Sequence, residues 1–598
     1  MLSDQWLNIL IVGIYFAFLI VIGWIFRTFS SNTSDYFKGG GKMLWWMVGS
    51  TAFMTQFSAW SFTGAAGKAF SDGLSVMMIF QGNALGYFFN YLFFAAKSRQ
   101  MRVVTPIEGI RLRFGKANEQ VFTWASVPSS IFQAGIWLNG LAIFVSAVFD
   151  IPMSTTIVIT GLIVVLMSAC GGAWAVVASD FLQMLVIMAV SVVASLVAVF
   201  KSGGIGPILD KGLPENPLSG PGYSYMWLFA AWTVASFCKQ FLSTNNMIDS
   251  YRYMCAKDTK NARKGALLAC GLMLIGPFIW FLPDWFVAAN YPDTSTWGLS
   301  ALGSSIKDAT YYIFVRNDMP AGTVGLMVAA MFAATMSSMD SALNRNAGIF
   351  VRNFYKPILR PQASDQEMLR VGQISTFGFG AVIIAVGVFL NSLENTSLFN
   401  MMMMVSSLIS LPILIPSLLG FFVRKTPDWA AWATILVGAG VSSFVAFIVT
   451  PEMIQTVLGL PAPLTDREFS DMQSLTLGLV LHLCITLPFF LSTRLFYKGC
   501  PADRQQEVDL FFANISTEVH AEDSGTSTLD QRQRSLLGKL AAALGGCVCL
   551  LVFIPNGFAG RMVFVGIGGI ILLAGIGLLF SAGELRVSKS TQNSASRK

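Results

Sequence analysis

The stretch AATMSSMDSALN, residues 333–344, follows directly on the apolar run TVGLMVAAMF at 323–332. A helix in that setting should be apolar throughout, yet this one carries two adjacent hydroxyls, an acid, a third hydroxyl and an amide. At about 100° per residue, Ser337, Asp340, Ser341 and Asn344 follow an i, i+3, i+4, i+7 pattern and share one face, flanked by Ser338. An oxygen-rich face suits a hard cation such as Na+, which accepts neutral hydroxyls and carbonyls as ligands. The competing reading has the serines bonding back to their own helix or packing against a neighbour. Asp340 would then be interfacial, about one turn from the basic segment that opens at Arg345.

That setting is a membrane. Of 598 residues 54% are hydrophobic and 12% charged, against about 25% charged in a typical soluble domain. Apolar runs of about 20 residues recur from end to end, each long enough to cross roughly 30 Å of hydrocarbon as a helix. The alternating segments of about 10 residues that mark a β-barrel are absent. The expected class is an all-α polytopic membrane protein with about fifteen spans. The first run, at 7–26, is too long for a signal h-region and lacks a basic n-region, so it reads as a retained span.

Basic residues gather at 27–42, 97–116, 252–264, 345–370, 424–425, 494–504 and 586–598. All fall on one side under this count, which places the N-terminus outside and the C-terminus in the cytoplasm. A net charge of +7 is ordinary for such a protein, and no nucleic-acid partner is expected. Eight cysteines without paired spacing and two histidines, His482 and His520, give no zinc site or disulfide framework. They also argue against a membrane-embedded enzyme. Residues 201–224 read as an irregular external loop, 294–320 as a helical lid, and 499–534 as a flexible cytoplasmic linker.

Two other spans carry polar groups, although an ionisable side chain in a span costs about 2.5–3.5 kcal/mol. CGGAWAVVASDFLQ, at 170–183, runs from a Gly-Gly bend into a helix with Asp180 and Gln183 on one face. Asp180 is either functional or an interfacial group favoured by the helix dipole. Residues 45–70 mix Gly, Thr, Gln and Ser, with Gln56, Ser58 and Ser61 near mid-depth. Such a segment either unwinds beside a polar cavity, freeing carbonyls, or packs closely through its small residues.

Together these stretches resemble the sodium:solute symporter family. GGAWAVVASDFLQ is similar to the entry of its fifth core helix, and MFAATMSSMDSALNRNAGIFVRNFYKP to its eighth, ending in the element NFYK (353–356). LPILIPSLLGFFVRKTPDWAAWAT, at 411–434, resembles its tenth core helix and exit. The similarity keeps one order over about residues 5–450. It implies a LeuT-type fold of two inverted five-helix repeats, at 45–200 and 225–423, with sites near the midplane. Residues 1–44 would add a helix before them, 424–498 two after, and 535–598 two more and a short tail, beyond the linker.

The resemblance also implies Na+ as coupling ion, with no organic cofactor. Its shared sodium site would fall on the carbonyls of Met54, Phe57 and Ala334 and the hydroxyls of Ser337 and Ser338. A second sodium or proton site would fall on Asp180, Asp340 and Ser341, where Asp340 departs from a family hydroxyl. Substrate positions would be Ser61, Phe80, Asn83 and Met273, which replace a glutamine, a glutamate, a serine and a lysine of the sugar-binding relative. Lys239, Gln240, Asn245 and Asn246 are further candidates, with Arg252 at an inner basic position. Lys239 either faces the cavity, where it suits an anionic substrate, or snorkels. Galactose specificity does not carry over. The expected protein is a sodium-driven symporter of the cell membrane, monomeric or weakly oligomeric, that imports a small polar organic solute, with a sugar or sugar derivative favoured. A sodium- or proton-coupled carboxylate or amino-acid carrier and a transporter-like sensor with a separate partner are the rivals.

Overall fold

The computed structural model describes residues 2–27, 39–168, 173–393, 397–520 and 526–583. The Gly-Gly bend at 171–172, Lys38 of the first basic cluster and the basic tail at 586–598 lie outside the described residues. Among those described the backbone is helical with no β-strand, which is how a chain in lipid satisfies its own amides. The helices that matter to the site are α1 (Leu2–Arg27), α2 (Trp45–Thr55), α3 (Gly64–Asp72), α4 (Met77–Phe89), α5 (Lys116–Phe149), α6 (Met153–Ser168) and α7 (Ala173–Ser202). They continue with α8 (Met226–Thr244), α9 (Thr259–Trp280), α10 (Thr323–Ile349), α11 (Asp365–Asn391), α12 (Leu398–Met404) and α13 (Leu411–Leu419).

Among the described residues, ten helices are long and apolar enough to cross a membrane. The pair Leu398–Ile409 and Leu411–Leu419, bent by 48°, makes an eleventh. The other expected spans fall on interrupted, short or polar elements. Residues 45–68 divide into α2 and α3, and 74–96 contain a π-turn at Asn90–Phe94. Residues 153–170 hold the 16-residue α6, and 225–249 the 19-residue α8, whose last turns carry Lys239 and Gln240.

α10 is the axis of the bundle. It packs against α1, α5, α6, α7 and α11, and of its residues 323–349 only Val324 and Arg345 are not fully buried. Beside it the chain breaks between α2 and α3. Ser58 is extended (φ −146°, ψ 179°), its Oγ accepts from Trp60 N at 3.3 Å, and a 3-10 turn at Ala59–Phe62 follows. Gly140 of α5 lets the break sit this close, because a Cβ there would stand 2.9 Å from both Trp60 N and Thr63 Oγ1. Overpacking of this kind costs about 1–3 kcal/mol. Gly140→Val should therefore lower the melting temperature in detergent and weaken solute uptake. An unchanged melt with full uptake would mean that the break does not rest on α5.

The surface segments are more ordered than their composition implied. The expected lid, 294–320, is helical over Ser300–Ala309 and Thr310–Asp318 and packs on α3, where a Cβ on Gly67 would meet Asp308 Oδ1. The 201–224 loop, expected to be irregular, contains the helix Gly206–Gly212. At that end of the bundle Arg467 pairs with Asp72 at 3.0 Å, Lys68 with Asp72 at 2.7 Å, and Tyr223 donates to Asp471 at 2.7 Å. The 499–534 segment, expected to be a flexible linker, is helical in part among its described residues. It forms α14 (Ala502–Ser516), whose Val508, Phe511 and Ile515 are buried and whose Arg504 pairs with Asp428 at 3.1 Å. One apolar stripe was enough to dock an otherwise polar helix.

Candidate ion and solute site

The break between α2 and α3 leaves carbonyl oxygens facing α10, and Ser338 occupies the gap. Its Oγ donates to Phe57 O at 2.7 Å, to Met54 O at 3.1 Å and, within its own helix, to Ala334 O at 3.4 Å. All four residues are buried to within 1%. Ala59 N, just beyond the break, donates to Thr335 Oγ1 at 3.3 Å. Four of the five residues expected to form the shared sodium site thus meet directly, through hard oxygen donors of the kind Na+ accepts.

Ser337, the fifth, turns toward α7 and donates to Asp180 Oδ1 at 2.5 Å. The other carboxylate oxygen of Asp180 accepts from Thr51 of α2. Asp180 is wholly buried, so it is no interfacial cap; it ties α2, α7 and α10 together beside the Ser338 cluster. Asp340 and Ser341 face elsewhere. Asp340 accepts from Ser168 of α6 and borders a cavity of about 30 Å3 with Ser179 and Gln183. Ser341, whose buried Oγ has no protein partner, borders a different cavity of about 30 Å3 with Ser338, Thr55, Asp249 and Arg252. No hydrogen bond joins Asp180, Asp340 and Ser341 to one another.

A further cavity, of about 90 Å3, opens beside the break. Of the expected solute positions, Phe80, Asn83, Lys239 and Gln240 line it. Ser61 and Met273 do not: Ser61 is buried in the 3-10 turn and Met273 inside α9. Asn245 and Asn246 serve the backbone instead, Asn245 Nδ2 donating to Gly86 O at 3.0 Å and Asn246 Oδ1 accepting from Ile248 N at 2.9 Å. Arg252 is 2% exposed; its Nε donates to Thr55 Oγ1 at 3.4 Å, and both Nη atoms have no protein partner.

A sequence comparison decides the family. The profile described as "Sodium:solute symporter family" matches residues 36–438, a stretch that holds every residue of the ion and solute sites described above. The chain belongs to the sodium:solute symporter family. Similar relatives are the sodium/glucose cotransporter of Vibrio parahaemolyticus, 26% identical over 74% of this chain and 86% of its own, and the sodium/myo-inositol cotransporter 2 of Mus musculus, 26% identical over 72% and 68%. In fold the chain resembles a solved Na+-coupled sialic acid symporter (TM-score 0.64, 20% identity, 81% of this chain and 98% of that one).

As a family member the protein is a multi-pass secondary transporter of the cell membrane, not an enzyme, with Na+ as its coupling ion. The symporter's cavity also uses residues that the sequence reading passed over, namely Trp60, Gln133, Trp137, Ser243, Asp249, Ser406 and Ser410. Gln133 and Trp137 stand one turn apart on α5, and that spacing is the one signal they carry in the sequence. The NFYK element serves the scaffold: Asn353 accepts from Thr105 at 2.9 Å and donates to Glu119 at 2.6 Å.

Proposed function

We propose that this symporter imports a small polar solute of the sugar, polyol or sugar-derivative class, driven by Na+ held between the α2–α3 break and α10. The observation that carries the ion assignment is the bridge from Ser338 to the carbonyls of Met54 and Phe57. Na+ would sit between the same oxygens, the Ser338 hydroxyl turning its hydrogen away to present a lone pair, with Ala334 O and Ser337 completing the set. Ion binding would then stabilise one arrangement of the broken helix against α10, and release would loosen it. Coupling follows when ion and solute both favour the same state. Each Na+ moving inward contributes about 2.3 kcal/mol per 100 mV.

The solute class is supported by the names of the sugar and inositol relatives and by the amides, hydroxyls and indoles around the cavity. The same reading takes 45–200 and 225–423 as the inverted repeats, fifteen spans in all, and the C-terminus as cytoplasmic. Asp180 would supply the negative charge beside the ion. Asp340, turned toward Ser168, would act apart from it. Asp340→Asn is therefore expected to change the Na+ concentration for half-maximal uptake by less than about threefold, a difference under about 1 kcal/mol. A loss as large as that of an Asp180 variant would bring Asp340 into the ion site.

The test is uptake into proteoliposomes of labelled hexoses, inositol, sugar acids and amino acids under an imposed Na+ or H+ gradient. Concentrative uptake with Na+ alone is the expected outcome. Accumulation that follows the proton gradient and ignores Na+ would overturn the coupling assignment.

A further inference from the structure

Lys239 lines the solute cavity and, among the described residues, pairs directly with no acid. The side chain is 7% exposed, on α8, and its Nζ makes one protein hydrogen bond, to Gln240 Oε1 at 3.3 Å. It forms no ion pair among the described residues. The one acid among the lining residues, Asp249, is already matched: Arg345 pairs with it at 2.9 Å and Asn246 Nδ2 donates to it at 3.1 Å. The cavity therefore holds a carboxylate already paired with an arginine and an ammonium with no ion pair of its own. Burying an unpaired charge is among the costliest things a fold can do, and such groups persist where a ligand or partner completes them.

The rest of the wall narrows the completing group. Amides from Gln56, Asn83 and Gln133 and the hydroxyl of Ser243 can bind hydroxyl groups, and the rings of Trp60 and Trp137 offer flat apolar faces to a sugar's C–H surface. A neutral hexose would leave the ammonium unmatched. An unhydroxylated carboxylate would leave the amides unpaired, and an amino acid would bring a second ammonium into the same small space. We propose that the transported solute is a sugar acid, a polyhydroxylated carboxylate whose anionic group docks on Lys239 Nζ. The proposal rests on the symporter reading above and names its solute.

The experiment compares matched pairs, glucuronate against glucose and galacturonate against galactose, in proteoliposomes at fixed Na+. Wild type is expected to take the acid with a KM lower by about tenfold or more, the range in which a charged hydrogen-bonded contact discriminates. Lys239→Gln should erase that preference by raising the KM for the acid, whereas Lys239→Arg should keep most of it. Na+-dependent uptake of the neutral sugars with the acids ignored would overturn the proposal and leave the symporter standing. So would a preference for the acid that survives in K239Q. Acid preference without Na+ dependence would instead sink the coupling and keep the solute class. If no sugar accumulates, melting temperature in detergent decides: a rise with glucuronate or galacturonate but not with their hexoses supports the proposal, and any other pattern overturns it.

Discussion

Ser338→Ala should raise the Na+ concentration for half-maximal uptake by about tenfold to a hundredfold, with little change in expression. The hydroxyl it deletes reaches two carbonyls of the α2–α3 break, Phe57 O at 2.7 Å and Met54 O at 3.1 Å. A hydrogen bond or ligand contact to a charged partner contributes about 1.5–3 kcal/mol, which converts to that range at about 1.4 kcal/mol per tenfold. The methyl group left behind fits a position already 1% exposed, so folding should survive. Titration of uptake with Na+ at saturating solute separates the effect from a change in solute affinity. Unchanged Na+ dependence would remove Ser338 from the ion site.

Asp180→Asn should be more severe, with Na+ affinity falling on the order of a hundredfold and coupled uptake falling with it. The wholly buried carboxylate accepts from Ser337 and Thr51, holding α10 and α2 to α7. Asparagine keeps the shape and one acceptor but loses the charge. At an effective dielectric of about 20, a unit charge about 5 Å from a cation is worth about 3 kcal/mol. Thr51→Val removes one of the hydrogen bonds and keeps the charge, so it should cost roughly tenfold less than Asp180→Asn. If the two variants behaved alike, Asp180 would be a structural tie alone.

Some of this site was legible in the residues themselves and some was not. The hydroxyls of Ser337 and Ser338 announced themselves as polar groups on an otherwise apolar helix. Met54 and Phe57 could be reached only through the family resemblance, because their side chains say nothing about what their carbonyls do. Ser61 was placed at the solute site through the family resemblance alone; the 3-10 turn that follows the extended residue at Ser58 buries it away from the cavity lining. Asp340 and Ser341 share one face on a helical wheel, yet that face is wide enough to meet α6 on one flank and the Arg252 cavity on the other. Gln133 and Trp137 lie on a helix buried nearly all round, where a polar stripe has little contrast with its surroundings. The docked helix in 499–534 was readable, since Val508, Phe511 and Ile515 keep helical spacing within a polar composition that suggested disorder.

The coupling itself is tested most directly by measuring labelled Na+ entry into proteoliposomes with the membrane potential held near zero, with and without external solute. Solute should stimulate Na+ entry in wild type, and at the same Na+ concentration the stimulated component should be largely lost in Ser338→Ala. Solute that enters unaccompanied by Na+ would contradict the account.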